Sequence, residues 1–331
     1  MRIVVLDGFA AAQEDLSWDR LTEFGELVVY PRTRAAELHA RADGADVLLT
    51  NKVLLDRETI ESLPRLRYIG IVATGTNVVD LGACEERGVA VTNVPGYSTH
   101  SVAQLVLALL LHFTHDVAGH SAAVKSGAWA AAPDFVFCLQ PLREVAGKTL
   151  AVVGMGAIGR AVRDVATALG MQVLAAAVPG SASADRVPLA EALSMSDFVT
   201  LHCPLTPATS RLVGDAFLGA MKPGAVLVNA GRGGLVDEAA LARALASGSL
   251  GGLALDVLER EPPLPGHSLL DPGAPWAKRV VVTPHVGWAT VEARQRLISA
   301  VVDNLAAFVR GEARNRVEIR AGAQKLSVPP R

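Results

Sequence analysis

Cysteine is scarce in this chain: Cys84, Cys138 and Cys203 are the only three, odd in number and scattered. That excludes a disulfide-stapled framework and fits reduced thiols in a cytoplasm. A surplus of one charge is missing too. With 31 basic and 33 acidic residues and a formal net charge of -2, no polyanion-binding surface is expected, and nucleic acid is not an expected partner. No apolar run is long enough to span a bilayer. The longest, SVAQLVLALLLHF (residues 101–113), reads as a buried helix, so no membrane association is expected. The opening MRIVVLDGF reads as a first strand without the apolar length or cleavage site of a signal peptide. Low-complexity segments and long charge runs are also absent.

What is present is alternation. Short apolar runs RIVVLD, ELVVYP, DVLLTN, RYIGIVA and VAVTNVPG are separated by helical patterns such as TRAAELHARADG and VDLGACEERG. The pattern starts again at residue 149 with LAVVGMG, QVLAAAV, FVTLHCP, AVLVNAG, GLALDV and RVVVTPH. Strands alternating with helices imply parallel sheets covered on both faces. At 331 residues two domains are the natural expectation. The expected fold is therefore α/β: two Rossmann-like parallel-sheet domains, one flavodoxin-like and one dinucleotide-binding, with a cleft between them. The first is expected over residues 1–98, completed by a C-terminal helix within 289–331. The second is expected over 99–288, beginning with the long helix from Thr99.

Between the apolar run TLAVV and the helical pattern IGRAVRDVATAL, Gly154, Gly156 and Gly159 fill G-x-G-x-x-G. The first glycine allows a tight turn, the second close backbone approach to a pyrophosphate, and the third close packing of helix on strand. The helix N-terminus then receives the negative charge. A nicotinamide dinucleotide, NAD or NADP, is the expected cofactor, which places the substrate in the other domain.

Three chemically able side chains follow in order: Arg232 in VNAGRGG, Glu261 in EREPP and His285 in VTPHVGWAT. Ligands of parallel α/β sheets bind outside the carboxyl ends of the strands, and Cys203, Gly231, Arg232, Asp256 and His285 all fall at such ends. Reducing a 2-keto acid needs a cation for the carboxylate and carbonyl oxygen, and a proton donor as hydride arrives. Arg232 offers a fixed fork. His285 is a side chain able to donate the proton, and a Glu261 hydrogen-bonded to its ring would favour the protonated form. Adjacent Glu259, Arg260 and Glu261 equally fit a solvated charged run. The proline-rich stretch 259–276 reads as a long loop.

These motifs, in this order, resemble the D-isomer-specific 2-hydroxyacid dehydrogenases over nearly the whole chain, most densely in NVPGYSTHSVAQ, AGKTLAVVGMGAIGRAV, LHCPLTPATSRLV, LALDVLEREPP and TPHVGWAT. The resemblance implies a catalytic Arg232–Glu261–His285 triad and substrate carboxylate binding by the amides of Thr74 and Gly75. It also implies cofactor contacts at Ala157, Ile158, Cys203, Ala230, Gly231 and Asp256, together with His285 and Gly287, and a homodimer formed through the helix near residues 99–113 and its surroundings. Within the family the segments TNKVLLD, VATGTNVVDL, VPGYSTHSVAQ and PHVGWAT are most similar to the glycerate dehydrogenase (hydroxypyruvate reductase) branch. That branch implies hydroxypyruvate and D-glycerate, or glyoxylate and glycolate, as substrates. Phosphoglycerate dehydrogenases resemble the chain too, but tend to carry an arginine where Asn51 and Lys52 stand. A dinucleotide-sensing protein like the co-repressors of this fold is the other alternative.

One position departs from the pattern. The second strand of the dinucleotide unit should end in Asp or Glu for the adenine ribose of NAD, and Ala177 stands there. Ser181, Ser183 and Arg186 follow, small or basic enough to take a 2′-phosphate, so NADP or dual use is expected alongside a relaxed NAD site. No metal is expected: His112, His115 and His120 have ligand-like spacing but read as a solvated helix face. Lys148 and Thr149 mimic a phosphate loop but precede a strand, not a helix.

Overall fold

In a computed structural model residues 1–181 and 185–318 are described. They form two compact units, one of Met1–Ser98 with the described chain from Trp288 onward, the other Thr99–Gly287. The first unit holds β1 (Arg2–Val5), β2 (Glu26–Val29), β3 (Val47–Thr50), β4 (Tyr68–Ile71) and β5 (Ala90–Thr92). They pair in the order β2-β1-β3-β4-β5, all parallel. β3 and β4 are buried along their whole length, so they read as unbroken apolar runs rather than alternations. Leu48, Ile69 and Val91 pack on one face. Ile3, Val5 and Leu49 pack on the other, where the helix Val291–Val309 brings Leu297, Val301 and Leu305. Arg294 of that helix is buried and forks onto Asp15 with hydrogen bonds of 2.7 and 2.5 Å.

The connecting helices of this unit are shorter than the sequence pattern suggests. TRAAELHARADG yields a single 3-10 turn and then Leu38–Ala42, and VDLGACEERG yields Leu81–Glu86. The second is bounded by its own chemistry: the Asp80 carboxylate accepts the Ala83 N–H at 2.9 Å, and Gly88 turns the chain out with φ +68°.

The second unit contains β6 (Thr149–Val153), β7 (Gln172–Ala176), β8 (Phe198–Leu201), β9 (Val226–Asn229), β10 (Gly252–Leu255) and β11 (Val280–Val282). Their order is β11-β10-β9-β8-β6-β7, again all parallel. Strand order reverses at β6, whose neighbours are β7 and β8, which opens a crevice at the carboxyl ends of β6 and β8. The helix Thr99–His115 packs Val102, Val106, Leu109 and Leu110 against Leu150 and Val152 of β6. The helix Ala157–Ala168 adds Val162 and Ala166 to the same layer. The stretch 259–276 contains one 3-10 turn, Ser268–Leu270, and no other regular element.

Candidate active site

The glycine loop is shaped by contacts that only glycine permits. Gly154 has φ +105°, and a Cβ there would lie 2.4 Å from the Cys203 nitrogen. At Gly159 a Cβ would lie 2.1 Å from the Gly154 carbonyl oxygen. Turn, helix and the end of β8 are therefore in backbone contact, and Cys203 is buried against the loop as a free thiol that burial pushes up in pKa. Gly156 differs: a Cβ there meets no protein atom within 4 Å. The fold does not need glycine at that position, but close approach of a ligand does. Gly156 caps the helix Ala157–Ala168, so the first-turn N–H groups of Ala157 and Ile158 face outward with the positive end of the helix dipole. This cradle fits a dinucleotide pyrophosphate.

β7 ends beside the returning chain. Ala177 donates its N–H to the Val187 carbonyl at 2.8 Å, and Val187 donates to that of Ala175 at 3.0 Å. Arg186 thus stands next in sequence to the partner of Ala177, while Ser181 is exposed. Ser183 lies outside the described residues.

β9 leads into the Arg232 loop. The buried Asn229 side chain accepts the Gly231 N–H at 3.0 Å and donates to the Arg232 carbonyl at 2.8 Å, closing the turn. Arg232 is exposed and, among the described residues, donates once, to the Gly231 carbonyl at 2.8 Å. Most of the fork's five N–H groups remain for a ligand. Next to it, a Cβ on Gly233 would lie 1.9 Å from the Leu258 carbonyl oxygen. The absent side chain lets the arginine loop rest on the segment that carries Glu261.

Glu261 and His285 meet. The Glu261 Oε2 lies 2.6 Å from His285 Nδ1, and its Oε1 accepts the Leu258 N–H at 3.1 Å. A carboxylate only accepts, so Nδ1 carries the hydrogen and Nε2 is the ring nitrogen left to act on a ligand. His285 has the left-handed φ of +54°, held by its N–H bonded to the carbonyls of Asp256 at 2.8 Å and Thr283 at 2.9 Å. Asp256 is buried at the end of β10 and organises the rest of this turn. One oxygen accepts the Thr283 hydroxyl at 2.6 Å and the Val286 N–H at 2.8 Å; the other accepts the Gly287 N–H at 2.8 Å. A carboxylate has about four acceptor positions, so three of them are spent on the loop. A Cβ on Gly287 would approach that second oxygen to 2.9 Å.

A proton-bearing imidazole backed by a carboxylate, an arginine with free donors and a pyrophosphate cradle all stand at strand carboxyl ends of one unit. The family model for the D-isomer specific 2-hydroxyacid dehydrogenase NAD-binding domain matches residues 107–287. The chain belongs to this dehydrogenase family. A hydroxypyruvate reductase of Blautia hydrogenotrophica is 40% identical over 95% of the chain and 99% of its own length. A glycerate dehydrogenase of Methylorubrum extorquens is 41% identical over 85% of the chain and 88% of its own. Among solved structures, an NADPH-dependent glyoxylate/hydroxypyruvate reductase of Sinorhizobium meliloti, in complex with NADP and malonate, is 30% identical with a TM-score of 0.80, covering 96% of both chains. The dehydrogenase is accordingly an NAD(P)-dependent oxidoreductase acting on the CH–OH group of 2-hydroxy acids.

Thr74 and Gly75 belong to the first unit, just past β4. The Thr74 hydroxyl donates to the Val94 carbonyl at 2.9 Å, and the Thr74 carbonyl accepts from the Asn93 side chain at 2.7 Å. The three histidines with ligand-like spacing are engaged locally. His115 Nδ1 bonds the Thr114 hydroxyl at 2.8 Å, and His120 Nδ1 bonds the Asp116 carbonyl at 2.9 Å. His112 lies 3.7 Å from the Asp116 carboxylate. Among the described residues no three His, Cys, Asp or Glu side chains form a metal-holding group. No single helix there is long and apolar enough to cross a membrane. Sequence reasoning missed Asn229, the loop-organising work of Asp256 and the left-handed His285. The available signal was the polar residue that closes the apolar runs VLVN and GLALD.

Proposed function

We propose that this dehydrogenase reduces hydroxypyruvate to D-glycerate, and glyoxylate to glycolate, with Arg232, Glu261 and His285 as its catalytic residues. The 2.6 Å pairing of Glu261 with His285 Nδ1 carries the reading, because it fixes the ring with Nε2 as the proton-donating atom. Bound reduced nicotinamide supplies the hydride. Everything else falls to the chain. Arg232 holds the keto acid by its carboxylate and polarises the carbonyl oxygen. His285 Nε2 gives its proton to that oxygen, and Glu261 stabilises the positive ring until the transfer. The amides of Thr74 and Gly75 take the substrate carboxylate. Gly154, Gly156, Ala157, Ile158 and Gly159 would hold the cofactor, with Cys203, Ala230, Gly231, Asp256 and Gly287 as its further contacts. The named activities of the similar enzymes support the substrate class. Asn51 and Lys52, in place of a phosphate-binding arginine fork, favour an uncharged hydroxymethyl substituent over a phosphorylated one.

Ala177 removes the carboxylate that would repel a 2′-phosphate, and Arg186 precedes the residue bonded to it, so NADPH is the proposed preferred donor. The active form is proposed to be a homodimer. The helix Thr99–His115 is largely buried in its own unit, and exposed apolar residues lie directly after it, from Val117 to Leu142.

Initial rates with hydroxypyruvate, glyoxylate, pyruvate and phosphohydroxypyruvate, each with NADH and NADPH, test the assignment. Hydroxypyruvate with NADPH is expected to give the highest kcat/KM. A preference for phosphohydroxypyruvate, or cofactor binding without turnover of any of the four, would overturn it.

A further inference from the structure

In the first unit strand order reverses between β1 and β3, the point where open parallel sheets of order 2-1-3-4-5 bind their ligands. Asp7 follows β1, and Asn51, Lys52 and Val53 follow β3. The Asp7 carboxylate spans that gap. Its Oδ1 accepts the Asn51 N–H at 2.8 Å, and its Oδ2 accepts those of Lys52 at 2.6 Å and Val53 at 3.3 Å. Asn51 passes the constraint on: buried, it donates from Nδ2 to the Val72 carbonyl at 2.7 Å. Two residues further on stand Thr74 and Gly75. Thr50 closes the turn from inside, its hydroxyl donating to the Val53 carbonyl at 2.9 Å.

We propose that Asp7 and Asn51 are positioning residues for substrate: together they hold the turn 51–53 and the strand end at Val72 so that the Thr74 and Gly75 amides meet the keto acid carboxylate. This rests on the reading that those two amides bind the carboxylate. The clamp is a poor choice if stability were its only purpose. Burial pushes the Asp7 carboxyl up in pKa even though three backbone N–H groups and the nearby Lys52 pull it down. Burying a carboxyl in this way costs the fold. A side chain that gathers three N–H groups at a switch point keeps two loops in one register, and orientation of bound substrate is what that register affects.

The full-length enzyme carrying Asp7→Asn, Asn51→Ala or both decides the matter. Asn can accept with only one oxygen, so Asp7→Asn frees part of the turn, while Asn51→Ala cuts the link to Val72. Each is expected to raise KM for hydroxypyruvate and the dissociation constant of oxamate, a non-reducible 2-keto acid analogue, by roughly tenfold, the scale of one lost hydrogen bond to a charged group. The affinity for reduced cofactor, measured by fluorescence, should stay unchanged. The double variant should be no worse than the more impaired single one, because both act through one path. Unchanged KM in folded variants, additive losses, or cofactor affinity falling in parallel would overturn the proposal. If Asp7→Asn does not fold, Asn51→Ala carries the same test. Thr74→Pro, which deletes one of the two amides, separates the failures. If it leaves KM and oxamate binding unchanged, the amide reading itself is wrong; if it alone raises both, only the role of Asp7 and Asn51 falls.

Discussion

His285 occupies a backbone conformation that most side chains avoid, φ +54°, where Asn and His are tolerated better than other non-glycine residues. Two hydrogen bonds from its own N–H and the Asp256-ordered turn behind it supply the constraint. Backbone conformation and ring chemistry can therefore be separated by one substitution. His285→Asn retains a residue suited to the left-handed region but has no group able to donate a proton from the Nε2 position. It should leave Tm within a few degrees of the parent, since the turn is held by Asp256, while kcat falls by about 10²–10⁴. Thermal melts beside steady-state rates check this. A large loss of Tm would mean that the Glu261–His285 contact holds the fold rather than the proton. Gly233 works at the same scale by what it lacks. With Leu258 O only 1.9 Å from where its Cβ would lie, it sets how closely Arg232 can be carried towards the Glu261 segment. Arg232 and His285 stood out in the sequence as reactive side chains just past apolar runs, whereas Glu261, one of three adjacent charged residues, equally fitted a solvated run, and its contact with His285 is a property of the folded chain. Asn229 and Gly233 did not stand out, because their work is defined by which loop lies opposite, and that too is a property of the folded chain.

Elements show the same division. The eleven strands of the described residues were legible as apolar runs, most plainly the central ones, since parallel strands covered on both faces must be apolar throughout. Helix lengths in the first unit were not, because capping by Asp80 and a turn at Gly88 stop a pattern that periodicity alone would extend. At the end of β7 the returning chain bears on the proposed cofactor preference. Ala177 donates its N–H to the Val187 carbonyl, so the end of β7 is fixed against the returning chain. Ala177→Asp should move the NADPH to NADH ratio of kcat/KM towards NADH by about tenfold or more, by repelling a 2′-phosphate and offering an acceptor to a ribose diol. An unchanged ratio would remove Ala177 from the adenine end of the site. The helix Val291–Val309 gives a prediction about acid. Its buried Arg294 holds the Asp15 carboxyl below the usual aspartate range, chiefly through their hydrogen bonds. A depressed folded pKa adds stability above the unfolded value of about 3.9 and loses it as pH falls through the folded value. Asp15→Asn should therefore lower Tm at neutral pH, and the gap to the parent should close as pH drops below about 4. A gap that persists undiminished in acid would mean the pair contributes through packing and not through charge.

At the scale of the whole molecule one segment does not account for itself. Among the described residues the helix Val117–Lys125 has none that is buried, and isolated helices of such length are marginal in water without a packed face. The chain beyond it is no better covered: Phe135 is 88% exposed, and Trp129, Val136, Leu139 and Leu142 are also exposed. It is nevertheless organised, since the Trp129 indole N–H donates to the Phe135 carbonyl at 2.9 Å and the rings of His120 and Phe137 lie 6.2 Å apart. Ordered, exposed and rich in aromatic side chains is the description of an interface core before its partner arrives. A second copy of the chain is the partner that the proposed homodimer requires, and self-complementary contact through one patch on each copy is the commonest way such dimers close. Light scattering should then return about twice the 34.6 kDa chain mass. Phe135→Asp combined with Leu139→Asp should return the single-chain mass, because burying two carboxylates in an apolar interface is strongly unfavourable. Cofactor affinity should survive that change, as the glycine loop and the end of β8 lie in other segments of the unit. A parent enzyme that is monomeric at micromolar concentration would refute the homodimer. A dimer that persists in the double variant would instead place the interface elsewhere, leaving the exposure of residues 117–142 to be explained by a different contact.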